Sequence, residues 1–432
     1  MNLCLVNVGY PPFIGGSQNY AHTLAQAAKA AGEGASVVTT TAAVTDDLWS
    51  PSGRQLPEGT RDEDGISVPR CALRHLPLAP YSYYVLRRMA VELSRCRQVP
   101  SSLLWRLASF TPWVPKLGET LAALPQDVSL VHAMSIPFES LMYTAWSFAR
   151  RRGIPYVATP LVHLGETSND RVRRFYTMSH QLELLRRSHA VIALTPSEHD
   201  FLIGQGVSEQ RLFTIPLGVA VEKITGGDAQ RFRSKYGISS PFIFYLGTVA
   251  YEKGAVHLVE AMRLLWEKGI EAPLVLAGAP MLHFQGYYRR LSSVVKARCR
   301  FLGTITEEDK KDLLAAGLVL ALPSRTESFG LAYLEAWANG KPVIGACAGG
   351  TPDVIADGVD GFLVPFGDVG GLAQRLKQLL QDHGLAAELG AAGRVKVERE
   401  FTVSRMVSET RAVYERVLRD GWQNRGGQTW TD

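Results

Sequence analysis

Cysteine is scarce in this chain of 432 residues, and the few present follow no pattern. The five, at 4, 71, 96, 299 and 347, are odd in number and scattered. They offer neither a disulfide framework nor zinc-ligand spacing, which fits a reducing cytoplasm. No run of 18 apolar residues occurs, so no membrane-spanning helix is expected. The start, Met1–Tyr10, lacks a basic segment ahead of its apolar residues and reads as a buried first strand, not a signal peptide. There is no G-x4-G-K-S/T phosphate loop. Asp62-Glu63-Asp64 has the look of a metal-binding acidic motif, but it precedes Gly65-Ile-Ser-Val-Pro-Arg70 and reads as a solvated turn, so no catalytic metal is expected. A net charge of +5 is too mild to argue for nucleic acid. No internal repeat is evident, and Arg425–Asp432 reads as a frayed tail.

What the chain does have is the composition of a globular protein, 46% hydrophobic and 20% charged, at a length that calls for more than one domain. Short apolar runs alternate with helical patterns, the mark of parallel α/β layers. Strands are predicted at 3–8, 35–39, 130–133, 156–159, 190–194 and 212–215 in the first half. In the second half they fall at 242–246, 274–277, 299–302, 318–322, 343–345 and 361–364. Each set makes one doubly wound sheet, with a link near Gly218–Gly227 between them. Ligands of such sheets bind outside the carboxyl ends of the strands.

The most informative stretch runs from Pro323 to Ile344 and holds Glu327 and Glu335 with seven residues between them. A buried strand ends at Pro323, so Glu327 lies in a loop at a strand's carboxyl end. Ser328, Phe329 and Gly330 offer amides at a helix N-terminus, and Glu335 lies about two turns into that helix. Free N–H groups and the positive end of the helix dipole attract phosphate. The carboxylates suit neutral hydroxyls instead. Phosphate with hydroxyls on both sides describes a nucleotide sugar.

This segment resembles the E-x7-E signature of retaining glycosyltransferases of the GT-B fold, family 4 in particular. The likeness continues through Gly349-Gly350-Thr-Pro-Asp353 and Asp357-Gly-Val-Asp-Gly361-Phe-Leu-Val-Pro365. It implies two Rossmann-like doubly wound domains facing across a cleft: an acceptor domain at 1–220, a nucleotide-sugar donor domain at 221–402, and a C-terminal helix at 403–424 that packs back on the first. The implied activity is metal-independent, cofactor-free, retaining transfer from a nucleoside-diphosphate sugar to a hydroxyl of a glycan, glycolipid or small molecule. The resemblance also implies roles. Lys253, Gly330 and the amides about it, with Leu331, hold the diphosphate; Glu335 takes the ribose hydroxyls and Glu327 the sugar hydroxyls. The nucleobase is met largely by backbone near Gly278 and Leu302–Thr304. Retention is usually described as front-face attack, with the leaving diphosphate helping to take the acceptor's proton, so no nucleophile is named.

Other constellations carry two readings each. Gly15-Gly16 is a tight strand-to-helix turn or, as in the family, a close approach to donor phosphate or acceptor. Relatives often carry Glu where this chain has Gln18 or Asn19. In Gly247-Thr248-Val-Ala-Tyr-Glu252-Lys253-Gly254, Lys253 matches the family's phosphate lysine, and Thr248 stands where arginine is usual. His163, after the fourth strand, is a site histidine or a structural one. From 71 to 120 seven basic residues face two glutamates, with aromatics interleaved: Tyr81, Tyr84, Arg87, Arg88, Arg95, Arg97, Trp105, Arg106, Trp113 and Lys116 among them. The plainer reading is a partly solvated helical hairpin whose arginine stems cover apolar surface. The alternative is peripheral contact of 81–116 with the inner membrane face. Two rival functions remain: a GT-B nucleotide-sugar epimerase, and a catalytically silent nucleotide-sugar-binding subunit, to which Thr248, Gln18 and Ala220 point.

Overall fold

The computed structural model describes residues 1–423 apart from 14, 52, 54, 97 and 167–169, with side chains described to 420. Arg97, residue 424 and the tail 425–432 lie outside the described residues. The chain forms two compact units. The first comprises Met1–Val162, Arg173–Ile215 and the chain from Val407; the second comprises His163–Val172 and Pro216–Met406. The change of unit thus falls at 215/216, before the glycine link, and His163–Val172 belongs with the second unit. Gly218 and Gly227 are packed rather than loose. A Cβ on either would collide with backbone, at Thr402 and Lys311 respectively.

The first unit is built on eight strands: β1 (Asn2–Val6), β2 (Gly34–Thr40), β3 (Gly59–Glu63), β4 (Ile66–Cys71), β5 (Leu130–Met134), β6 (Tyr156–Thr159), β7 (Ala190–Ala193) and β8 (Leu212–Thr214). Their order is β3-β4-β2-β1-β5-β6-β7-β8, parallel except for β3. The central strands are apolar runs because helices cover both faces: Leu3–Val6 and Val37–Val38 are fully buried. The β3–β4 hairpin adds two strands that the apolar-run prediction did not include, on either side of the expected turn. The turn itself exists, with Asp64 and Gly65 at φ 52° and 72° and Asp62 accepting from the Gly65 amide at 2.7 Å. Glu63, however, pairs with the buried Arg70. Strand β3 is polar and exposed because it is an edge, so it carries no hydrophobic signal.

Helix α1 (Gly16–Ala30) follows β1. The basic segment folds as α2 (Tyr81–Arg95) and α3 (Ser101–Ala108), which pack on each other. Their inner faces bury Tyr83, Ala90, Val91, Leu104 and Trp105. Trp105 stacks on Tyr143 at 4.2 Å and meets His180 edge-on at 4.8 Å. The last helix, Val403–Gln423, joins this unit through Tyr414, whose hydroxyl bonds His132 of β5 at 2.6 Å, and through Arg411, paired with Glu33 at 2.7 Å.

The second unit has β9 (Ile243–Leu246), β10 (Leu274–Ala277), β11 (Cys299–Gly303), β12 (Val319–Leu322), β13 (Val343–Ala346) and β14 (Gly361–Val364). All are parallel in the order β11-β10-β9-β12-β13-β14. The order reverses between β9 and β12, the topological switch point at which doubly wound sheets bind ligands. The loops leaving β9 and β12 carry Lys253 and Glu327.

Candidate active site

Neighbouring parallel strands bring together residues far apart in sequence. Lys253, beyond β9, donates from Nζ to Glu327 Oε1 at 2.7 Å and to the Thr326 carbonyl at 2.7 Å. Both side chains are largely buried yet reach the surface. An ammonium and a carboxylate are therefore held side by side at the switch point, the cation suited to phosphate and the anion to hydroxyls. Next to them starts the helix Leu331–Ala338, capped by Gly330 at φ 99°. Its first N–H groups have no partner within the helix and carry the positive end of its dipole. Gly330 must be glycine here. Its φ is left-handed, and a Cβ would run into the Tyr333 ring. That ring is fixed by its hydroxyl bonding the Leu322 carbonyl at 2.6 Å.

Glu335 sits about one turn into this short helix, not two, because the helix begins only at Leu331. Its carboxylate accepts from Lys310 Nζ at 3.0 Å, and Lys310 also pairs with Glu307 at 3.0 Å. Lys310 was not read from the sequence, since nothing in a solvated helix start marks it. The Phe329 side chain is core, edge-on to Phe401 at 5.5 Å, so only its backbone is left for a ligand. Ser328 and Leu331 stay partly open. Gly247 and Thr248 are exposed at the end of β9, and the Thr248 carbonyl accepts from the Tyr245 hydroxyl at 2.6 Å.

Arg325 is a further residue the sequence reading missed. It lies two positions before Glu327, pairs with Glu252 and, at 3.4 Å, with Glu166, and stacks over Phe366 at 4.6 Å. Its amide also donates to the Glu252 carbonyl at 3.0 Å. Glu252-Lys253 and Arg325-Thr326-Glu327 are thus laced residue by residue. The segment carrying Glu166 is tied down again where the Gly349 amide donates to the Gly165 carbonyl at 2.8 Å. Gly350 in turn donates to the Glu327 carbonyl at 3.0 Å. That segment begins at His163. Burial first, and the Lys253 charge second, lower its pKa to about 3. The imidazole is neutral at physiological pH.

Gly15 and Gly16 belong to the first unit and form the start of α1, with the Gly15 carbonyl accepting from the Asn19 amide at 3.0 Å. Gln18 is buried there and accepts from Ser17 at 3.2 Å. Among the described residues no group of three or more His, Cys, Asp or Glu side chains is placed to hold a metal ion.

These features correspond to known proteins. Residues 228–396 match the family model described as glycosyl transferases group 1, and residues 15–218 match the glycosyl transferase 4-like domain. A GDP-mannose-dependent monoacylated alpha-(1-6)-phosphatidylinositol monomannoside mannosyltransferase of Corynebacterium glutamicum is 33% identical over 44% of this chain and 52% of its own. N-acetyl-alpha-D-glucosaminyl L-malate synthase of Bacillus anthracis is 32% identical over 45% and 50%. The chain thus spans about half the length of these two curated relatives. Glycogen synthase of Mycobacterium tuberculosis is 26% identical over 96% of this chain and 94% of its own. Among solved structures, sucrose-phosphate synthase from Thermosynechococcus elongatus has a TM-score of 0.73 at 21% identity, covering 97% of this chain and 99% of its own. Anabaena HepE in complex with UDP and glucose has a TM-score of 0.71 at 18% identity, covering 96% and 99%. At such identities these structures speak for the fold, two doubly wound units of the GT-B class. With one model on each half and the switch-point motif in place, the chain belongs to the glycosyl transferases group 1 family, with a family 4-like first half.

Proposed function

We propose that this chain moves a sugar, with retention and without a metal, from a nucleoside-diphosphate sugar to a hydroxyl acceptor. The observation that carries the reading is the Lys253–Glu327 pair beside the N-terminus of the helix Leu331–Ala338. Departure of a nucleoside diphosphate builds negative charge. The Lys253 ammonium and the helix amides stabilise that charge without a metal. Glu327 accepts from sugar hydroxyls, Glu335 from ribose, and Gly15, Gly16, Gly247 and Thr248 give backbone access to phosphate or acceptor. The bond from the anomeric carbon to the phosphate oxygen breaks, and the acceptor oxygen bonds that carbon on the same face. Its proton passes to the leaving diphosphate. His163, neutral, orients the sugar by a hydrogen bond.

A thermal-shift panel of UDP, GDP and ADP identifies the nucleotide. A true ligand at 100 times its Kd stabilises by about 2.7 kcal/mol. Proton NMR of the first product then reads the anomer; an inverted anomer overturns retention. Activity in EDTA tests the metal-free step, and loss that magnesium or manganese restores would refute it. Release of free sugar from the donor without acceptor separates a transferase from a silent binding subunit.

The outward face of α2 supports a second element of this reading, peripheral contact with an anionic membrane at the cytoplasmic face. Tyr81, Tyr84, Val85 and Met89 recur at helical spacing and are 74%, 70%, 67% and 42% exposed, following Leu78 at 85%. Arg88 and Arg95 lie exposed on the same helix. Exposed apolar residues flanked by cations suit a lipid interface. Co-sedimentation with anionic vesicles at low salt checks it, and fractionation of the protein from cells checks the compartment.

A further inference from the structure

Two arginines of the first unit, Arg87 and Arg174, have no anionic partner among the described residues. Arg87 reaches inward from α2 and places its guanidinium carbon 5.7 Å from the Trp49 ring and 5.5 Å from the Phe175 ring. Arg174 lies 5.0 Å from the same Phe175 ring. Among the described residues neither guanidinium has a carboxylate partner or a hydrogen bond, and the Nε of each is buried without an acceptor. Two carboxylates precede Trp49: Asp47 accepts from the amides of Ala43 and Val44, both at 2.9 Å, and Asp46 is held above the usual carboxylate range by burial and by Asp47. Two other sheltered arginines are paired, the buried Arg70 with Glu63 and the half-buried Arg325 with Glu252 and Glu166.

A guanidinium carries five donors and matches phosphate in a two-pronged geometry. Ring stacking satisfies none of those donors, and a buried donor left unmade is costly. The ring contacts supply no acceptor to either guanidinium, and both side chains are only half-buried. The place in the fold agrees. Trp49 lies in the connection leaving β2, Phe138, stacked with Trp49, in the one leaving β5, and Arg174 and Phe175 in the one leaving β6. These strands stand close together in the sheet, and all three connections leave by carboxyl ends, where such sheets bind ligands. Arg173, over Phe201 at 5.8 Å, adds a third cation beside them.

We propose that Arg87 and Arg174 form an anion subsite that takes a phosphate carried by the acceptor, a phosphomonoester or the phosphodiester of a lipid headgroup. Naming the acceptor rests on the transferase reading; the subsite itself does not.

The test titrates the full chain with inorganic phosphate while the nucleoside diphosphate selected by the thermal-shift panel is held at saturation, so that the donor site is filled. Wild type should bind phosphate with an affinity that falls as salt rises. Arg87→Gln and Arg174→Gln should each weaken it at least tenfold, with nucleotide affinity unchanged, and Arg87→Lys should keep part of it. Glycerol 3-phosphate and vesicles containing phosphatidylinositol then replace phosphate. Tighter, Arg174-dependent binding of either one supports the subsite and names its source. Phosphate binding that is absent from wild type, or equal in the double glutamine variant, overturns the proposal. Loss of nucleotide binding in wild type would instead sink the transferase reading, while the phosphate arm, run without nucleotide, still reports on Arg87 and Arg174.

Discussion

Glu327 and Lys253 are each other's partner in this structure, so neither can be altered without changing the other's charge balance. Glu327→Ala should cost about 2–4 kcal/mol of transition-state binding, the size of one preorganised electrostatic group, with the unfolding midpoint little changed. Near-normal kcat/KM in that variant would remove Glu327 from the site. Lys253→Ala should weaken nucleoside diphosphate binding and slow transfer together, since Thr248 supplies no cation at the neighbouring position. Calorimetric affinity for the nucleotide equal to wild type would hand the role to another basic residue. Gly330→Ala is a backbone test: a left-handed φ costs a side chain about 1–2 kcal/mol, and the Tyr333 ring adds a clash. We expect both a lower Tm and weaker nucleotide binding, because the same turn aims the helix amides.

At the scale of elements, α2 has two chemistries on two faces. Its inner face holds Tyr83, Arg87 and Val91 against the fold, and its outer face holds Tyr81, Tyr84, Val85 and Met89 in solvent. Replacing Tyr84 and Val85 by serine should leave stability and nucleotide affinity alone and reduce sedimentation with anionic vesicles. Neutralising Arg88 and Arg95 should do so in a salt-dependent way, each cation being worth about 1 kcal/mol near the surface. Wild-type protein that ignores such vesicles at low salt would leave a soluble acceptor as the better match. The sequence already placed a basic, aromatic helical hairpin here. Which cations turn inward and which outward was set by packing, since helical spacing alone leaves the rotation of α2 open.

At the scale of the whole molecule, the buried His132 and the half-buried His163 weaken stability in acid. His132, bonded to Tyr414 and Thr159, and His163 both have pKa values lowered to about 3, mainly by burial. In the unfolded chain a histidine protonates near the ordinary value of about 6.5. Between those limits the unfolded state binds the extra protons, so stability is fully present above pH about 6.5 and is lost as pH falls toward about 3. Glu198 acts oppositely. Burial raises its pKa to about 7 although it accepts from the Val162 and Leu194 amides, so its contribution declines as pH rises through that value. His132→Gln should remove about 1.4 kcal/mol from the stability lost between pH 7.5 and pH 5.5, read from urea unfolding at those two values. An unchanged slope would mean that His132 is already protonated in the folded state.

The sequence by itself determined the class of fold, most strand positions and the identity of the Glu327–Glu335 motif, because buried parallel strands are continuous apolar runs and a strand–loop–helix junction has a local signature. It did not place the β3–β4 pair among the strands: β3 is an exposed edge that needs no apolar residues, and β4 mixes Ser67, Pro69 and Arg70 into a short run. Nor did it show that Lys253 would meet Glu327 across 74 positions, or that Lys310, Arg325 and Glu166 would join them. Those contacts follow from strand order: β9 lies beside β12, and which loops converge is fixed only when the sheet is assembled. Charge placement followed the same rule. A sequence counts the arginines at 87, 174 and 325, but only the tertiary structure pairs one with carboxylates and leaves two against aromatic rings, since a pair forms when packing brings the partners within reach.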